Sequence, residues 1–135
     1  MTLVVREADA RECRALGFEP EDALEDCVWR SDHAVNEYID GELAACWGWR
    51  LRGFLTQNVD MWLLTSDVVT AHPIEFARRS KRKLEALLKL HPSIFVQVHT
   101  AYTDSVKWLL WLGFQRVDTL VVKGETFLIM RKDRG

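Results

Sequence analysis

Between Val59 and Phe114 two apolar runs alternate with two helical patterns, and that order limits the fold more than any other feature of the chain. Val59-Asp60-Met61-Trp62-Leu63-Leu64-Thr65 is a short apolar run of the kind a buried strand shows. After the polar break Ser66-Asp67, a helical pattern extends from about Pro73 to Leu90. Ile94-Phe95-Val96-Gln97-Val98 is the second apolar run, and a shorter helix from Thr103 to Leu112 closes at Gly113-Phe114. Along the longer helix Ile74, Ala77, Leu84, Leu87 and Leu88 recur at helical spacing as an apolar face. Arg78, Arg79, Lys81, Arg82 and Lys83 cover most of the rest, and His91-Pro92 stops it.

The flanks supply the remaining elements. Leu3-Val4-Val5 begins a strand. Asp9-Ala10-Arg11-Glu12 has capping-box spacing and opens a short helix that stops at Gly17. Glu19-Pro20-Glu21-Asp22 starts a second helix with acids, and Ala23, Leu24, Cys27 and Val28 form its apolar face. Ala34–Ile39 and Glu42–Arg50 flank Asp40-Gly41, a dipeptide suited to a two-residue hairpin turn with positive φ. The second of these strands is apolar or small on both faces, so it belongs inside the sheet. Residues 51–58 read as a loop. Strands near Gln115–Val122 and Glu125–Arg131 meet at Lys123-Gly124, and the tail from Arg131 to Gly135 is expected to fray. The order is β-α-α-β-β-β-α-β-α-β-β in one domain spanning 1–135. The fold class is α+β, an α/β sandwich with a mixed, mostly antiparallel sheet of about six or seven strands and helices on both faces.

Three motifs carry a family resemblance: Trp62-Leu63-Leu64-Thr65-Ser66-Asp67, the helix Pro73 to Arg82, and Trp108 to Phe114. Together with the element order they resemble the cofactor-binding half of the GNAT N-acetyltransferase superfamily. Within it, the sequence is most similar to small GNAT-like proteins of short-tailed phages, some of them internal virion proteins. That resemblance implies acetyl-CoA held by backbone amides in a glycine-rich turn after the fourth strand, at the start of the long helix. On this chain the cofactor positions would be Leu64, Thr65, Ser66, His72, Arg78 and Arg79. The turn itself, Ser66-Asp67-Val68-Val69-Thr70-Ala71-His72, has no glycine and carries an aspartate; taken by itself, it is a strand terminus followed by an Asx or Ser turn.

The same family often uses a tyrosine on the short helix to protonate the leaving thiolate. Leu109 holds that place, and Tyr102 stands where an asparagine often precedes the helix. Tyr102 is a displaced acid at most and fits packing at the helix start better. Glu37, Asp60 and Asp67 are the carboxylates near the expected cleft that could act as a base. The expected function is therefore a phage GNAT-fold protein with a degenerate cofactor site, a non-catalytic virion-assembly or protein-interaction module that uses no cofactor. The alternative is an acetyl-CoA-dependent N-acyltransferase acting on an amine of a small molecule or protein. The implied partner is a virion or host protein, with room for a homo-oligomer, and the implied location is the host cytoplasm or the virion.

Composition narrows the other classes. A net charge of -2 gives no reason to expect general nucleic-acid binding, although the basic run Arg78–Lys83 could grip a 3′-phosphate, nucleic acid or an acidic partner. Its simplest reading is a solvated helix face. No apolar run approaches the ~20 residues of a membrane span, and Met1–Arg6 reads as a strand, not a signal peptide. His33, His72, His91 and His99 lack i,i+4 spacing, and no metal site is expected. Cys13, Cys27 and Cys46 read as reduced intracellular thiols, at least two of them buried. Six tryptophans in 135 residues exceed what a small core needs, which favours an interface. The short helix, with Trp108, Leu109, Leu110, Trp111 and Leu112, is apolar nearly all round and so is either deeply buried or half of an interface.

Overall fold

A computed structural model of the chain describes residues 3–7, 31–53 and 55–134. The two helices expected between Asp9 and Val28, with Cys13 and Cys27, lie outside the described residues. The strands are β1 (Leu3–Glu7), β2 (His33–Ile39), β3 (Glu42–Leu51), β4 (Val59–Thr65), β5 (Ser93–His99), β6 (Gln115–Val122) and β7 (Glu125–Asp133). The helices are α1 (Asp67–Ala71), α2 (Pro73–Leu90) and α3 (Thr103–Trp111). The fold is α+β, with strand order β1-β2-β3-β4-β5-β7-β6 and antiparallel pairing apart from the parallel β4–β5 ladder. No helix among the described residues is long and apolar enough to cross a membrane.

The chain divides into two compact units. The first holds the described residues up to Arg50 together with Trp62–Ser80. Here β1, β2 and β3 form an antiparallel meander. Asp40 at φ 51 and Gly41 at φ 84 make the β2–β3 turn, the left-handed pair that suits the twist of a tight hairpin. β3 does sit between two neighbours, β2 and β4, as its two apolar faces require. Val35, Ile39, Ala44, Ala45, Cys46 and Phe76 are buried.

The second unit holds Leu51–Met61 and the residues from Lys81 onward. Val59, Asp60 and Met61 pair in parallel with Ile94, Phe95 and Val96. β5 then pairs with β7, and β7 with β6, across a Lys123-Gly124 turn of the same kind, at φ 51 and 81. Val59, Ile94, Val98, Leu109, Leu112, Phe114 and Met130 are buried in this unit, each side chain of leucine or phenylalanine size contributing about 1.5–3 kcal/mol.

Two expectations need correction. Ile74 is 67% exposed, whereas Phe76 is buried with Leu84 and Leu88. The buried arc of α2 is thus rotated toward Phe76 and takes in half of Arg79 and Lys83, so the basic run is not wholly a solvated face. The tail does not fray at Arg131: β7 continues to Asp133, the Arg134 amide donates to the Pro92 carbonyl, and its Nε donates to the Leu88 carbonyl at 2.6 Å. After β4 ends at Thr65, Ser66 makes the Ser turn that the sequence reads, its Oγ accepting from the Val68 amide, and the turn continues into the short helix α1.

Candidate functional site

Ser66 decides what the end of β4 can do. Its amide donates to the Ala44 carbonyl at 2.9 Å and its hydroxyl donates to the Leu43 carbonyl, so the residue is fastened to β3. Its Oγ also accepts from the Val68 amide at 3.3 Å, which makes Ser66 the N-cap of α1. The Val69 amide donates to the Ser66 carbonyl, the His72 amide to the Val69 carbonyl, and the Phe76 amide to the His72 carbonyl. Pro73 has no amide hydrogen. Acidic side chains stand in the first turns of both helices, Asp67 on α1 and Glu75 on α2. The Val68, Val69, His72 and Phe76 amides are therefore bonded within the chain, Pro73 offers none, and the helix starts already carry negative charge. The residues present do not fit the diphosphate of acetyl-CoA here.

On the same unit, β2 and β3 assemble an aromatic and carboxylate group. Register places His33 opposite Trp49, Val35 opposite Trp47 and Glu37 opposite Ala45. The His33 ring lies 5.4 Å from that of Trp47 and 6.1 Å from that of Trp49. Glu37 is only 2% exposed, and its Oε1 accepts from the Trp47 indole N–H at 2.8 Å. Trp62 lies against Gly48, where a Cβ would stand 2.9 Å from the indole, and its Nε1 donates to Ser31 at 2.7 Å.

In the second unit the acid position is apolar: Leu109 is 4% exposed. Tyr102 is the N-cap residue of α3, with no side-chain cap hydrogen bond, and its mostly exposed ring lies 5.6 Å from that of His99. His99 accepts from the Ala101 amide at Nδ1 (3.0 Å), which leaves the proton on Nε2, directed at the Glu125 carboxylate. With both ring nitrogens engaged, His99 is a staple between the turn before α3 and the β6–β7 hairpin. Asp60 forms an ion pair with Arg52 at 3.5 Å, and Arg52 stacks over Phe95 at 3.8 Å. Asp133 accepts from Ser93 and Arg131, and these contacts lower its pKa. Burial lowers that of Lys83 from 10.5 to about 8.

The candidate residues thus divide. Leu64, Thr65, Ser66, Asp67, His72, Arg78, Arg79 and Glu37 lie in the first unit, and Asp60, Tyr102 and Leu109 in the second. Ser66 and Asp67 come together with His72 around α1, and Glu37 comes together with Trp47. The partners sequence reasoning missed are Trp47 for Glu37, Glu125 for His99 and Arg52 for Asp60.

Solved structures of known proteins fit this architecture over nearly the whole chain. A protein provisionally named phosphinothricin N-acetyltransferase matches at 13% identity, over 99% of both chains, with a TM-score of 0.76. An acetyltransferase of the GNAT family from Streptococcus pneumoniae matches at 11% identity, over 99% of this chain and 100% of that one, with a TM-score of 0.67. The fold is that of the GNAT acetyltransferases. A spermidine N-acetyltransferase chimera of SpeG from Vibrio cholerae and hSSAT has the same fold at 11% identity, over 97% and 95%, with a TM-score of 0.71. No protein-family profile and no curated protein matches the sequence. At these identities the likeness establishes the GNAT fold and leaves its use to the side chains.

Proposed function

We propose that this chain uses the GNAT fold as a protein-interaction module and performs no acyl transfer. The observation that carries this reading is Ser66, which closes the end of β4 with its own hydrogen bonds and starts a helix where a diphosphate would need open amides. The buried leucine at Leu109, where the family often places its acid, points the same way. The tryptophan content and the half-exposed Trp47, Trp49 and Trp108 supply contact area for a partner. The motif resemblance to internal virion proteins of short-tailed phages makes that partner a virion or host component. This part of the reading rests on the sequence motifs alone.

One finding favours a second reading. The solved structures that share this fold are named acetyltransferases, one of them for spermidine, and this supports acyl transfer from acetyl-CoA to an amine. On that reading Glu37 or Tyr102 would have to serve the amine or the leaving thiolate, and the cofactor would have to be held without the turn amides.

Thermal unfolding with millimolar acetyl-CoA and CoA separates the two. A ligand at 100 times its dissociation constant stabilises the native state by about 2.7 kcal/mol, which raises the midpoint by several degrees. An unchanged midpoint is expected; a concentration-dependent rise overturns the first reading and sends the search to amine acceptors.

A further inference from the structure

His99 ends β5 and is held from two sides. Its Nδ1 accepts from the Ala101 amide at 3.0 Å, and its Nε2 is directed at the Glu125 carboxylate of β7. The Phe127 ring meets it edge-on at 5.1 Å, and the Tyr102 ring stands 5.6 Å away. Among the described residues, Glu125 of β7 and the Tyr102 phenol of the turn are the ionisable groups that face the ring; α3 carries Asp104 in its first turn. The His99 side chain is 23% exposed, so protons from solvent reach it.

The two ring nitrogens respond in opposite ways to a proton. A neutral imidazole accepts at Nδ1 while its hydrogen sits on Nε2, whereas an imidazolium donates at both. At Nε2 the added charge strengthens the bond to the carboxylate. At Nδ1 a new N–H is set against the Ala101 N–H, and the bond between them is lost. We infer that His99 is a proton-operated latch: neutral, it holds the turn that starts α3, and protonated, it stays on Glu125 and lets Ala101 go. The part that moves is bounded. Thr100 donates to the Thr126 carbonyl through its amide at 3.1 Å and its hydroxyl at 3.2 Å, and a proton on His99 disturbs neither bond. The strand end therefore stays in place and the release begins at Ala101. Next to it the Tyr102 amide keeps its bond to the His99 carbonyl at 3.0 Å, so the turn loosens without unravelling α3. What changes at the surface is the setting of the exposed Tyr102 ring. The latch works whether or not the chain binds an acyl-CoA.

NMR of the uniformly ¹⁵N-labelled full chain at about pH 8 and at about pH 5, the range in which histidines change charge, tests the latch. At the higher pH a ¹⁵N–¹⁵N coupling across the Ala101 N–H···Nδ1 bond is expected, with ring nitrogen shifts of the Nε2–H tautomer. At the lower pH the ring nitrogens should report an imidazolium, the coupling should vanish, and the Ala101 and Tyr102 amide resonances should move while Thr100 stays. His99→Asn leaves an acceptor oxygen for the Ala101 amide and carries no charge, so those resonances should no longer follow pH. Absence of the coupling at the higher pH overturns the inference, as does a ring still neutral at the lower pH. So do Ala101 and Tyr102 resonances that stay fixed while the ring charges. A movement that persists in His99→Asn also overturns it, since Glu125 and Asp104 remain there and would be its source.

Discussion

Replacing Ser66 separates its two jobs, capping a helix and fastening that helix to β3. Loss of an N-cap costs about 1 kcal/mol, and loss of a part-buried hydroxyl-to-carbonyl hydrogen bond costs about 1 kcal/mol more. Ser66→Ala should therefore destabilise by about 2 kcal/mol, and for a chain of 135 residues each kcal/mol moves the midpoint by about 4 °C. Aspartate distinguishes the jobs, because it is as good a cap as serine but cannot donate to the Leu43 carbonyl. Ser66→Thr should lie close to wild type, whereas Ser66→Asp should lose at least what Ser66→Ala loses, with a carboxylate set against a carbonyl. Urea unfolding followed by tryptophan fluorescence gives the free energies. A wild-type Ser66→Asp protein would show that Ser66 is a cap and nothing more, and would remove the link to β3 on which the closed turn depends.

Other substitutions test neighbouring claims. Gly48→Ala places a Cβ 2.5 Å from the His33 carbonyl and 2.9 Å from the Trp62 ring, so a loss of about 1–3 kcal/mol is expected in urea unfolding. Trp62→Phe should recover only part of it, since the carbonyl belongs to the β2 backbone. Gly113→Ala forces a side chain to φ +99 and toward Lys132 Nζ, at a cost of about 1–2 kcal/mol; a neutral result would mean the α3 terminus relaxes freely. Lys83 has a folded pKa of about 8, below the ordinary 10.5. Between those values the folded state binds fewer protons than the unfolded chain, so this residue makes stability rise with pH across that window. In Lys83→Met the urea midpoint should be higher at pH 7 and should lose that rise; an unchanged pH slope would show that the ammonium is not desolvated.

Elements fixed by local chemistry were legible in the sequence. Asp40-Gly41 favoured a turn with positive φ and Lys123-Gly124 marked the join of the last two strands, and the hairpins form around them. The apolar run Val59–Thr65 and the pattern from Pro73 to Leu90 kept their bounds because each carries its own period and its own stops. What depends on distant packing was not legible. Whether Ile74 or Phe76 faces inward follows from which side of α2 the rest of the protein covers, and both residues fit a helical stripe. Glu37 meets the Trp47 indole only through the β2–β3 register and its shift beyond Glu37. His99 meets Glu125 through β5–β7 pairing between strands separated by α3 and β6. At the candidate site, the missing glycines and the leucine at position 109 could be read directly, but the helix that Ser66 starts could not. Its cap depends on a hydroxyl also held by the Leu43 carbonyl.

The closed turn is tested most directly at its own amides. Amide chemical shifts of Val68, Val69 and His72, followed by NMR while acetyl-CoA is added to millimolar concentration, report whether a diphosphate reaches them. Unchanged shifts at all three, with slow hydrogen exchange at Val69 and His72, are the expected result. Saturable shifts centred on these amides would show that the turn opens to the cofactor, and would make this chain an acyltransferase candidate despite Ser66.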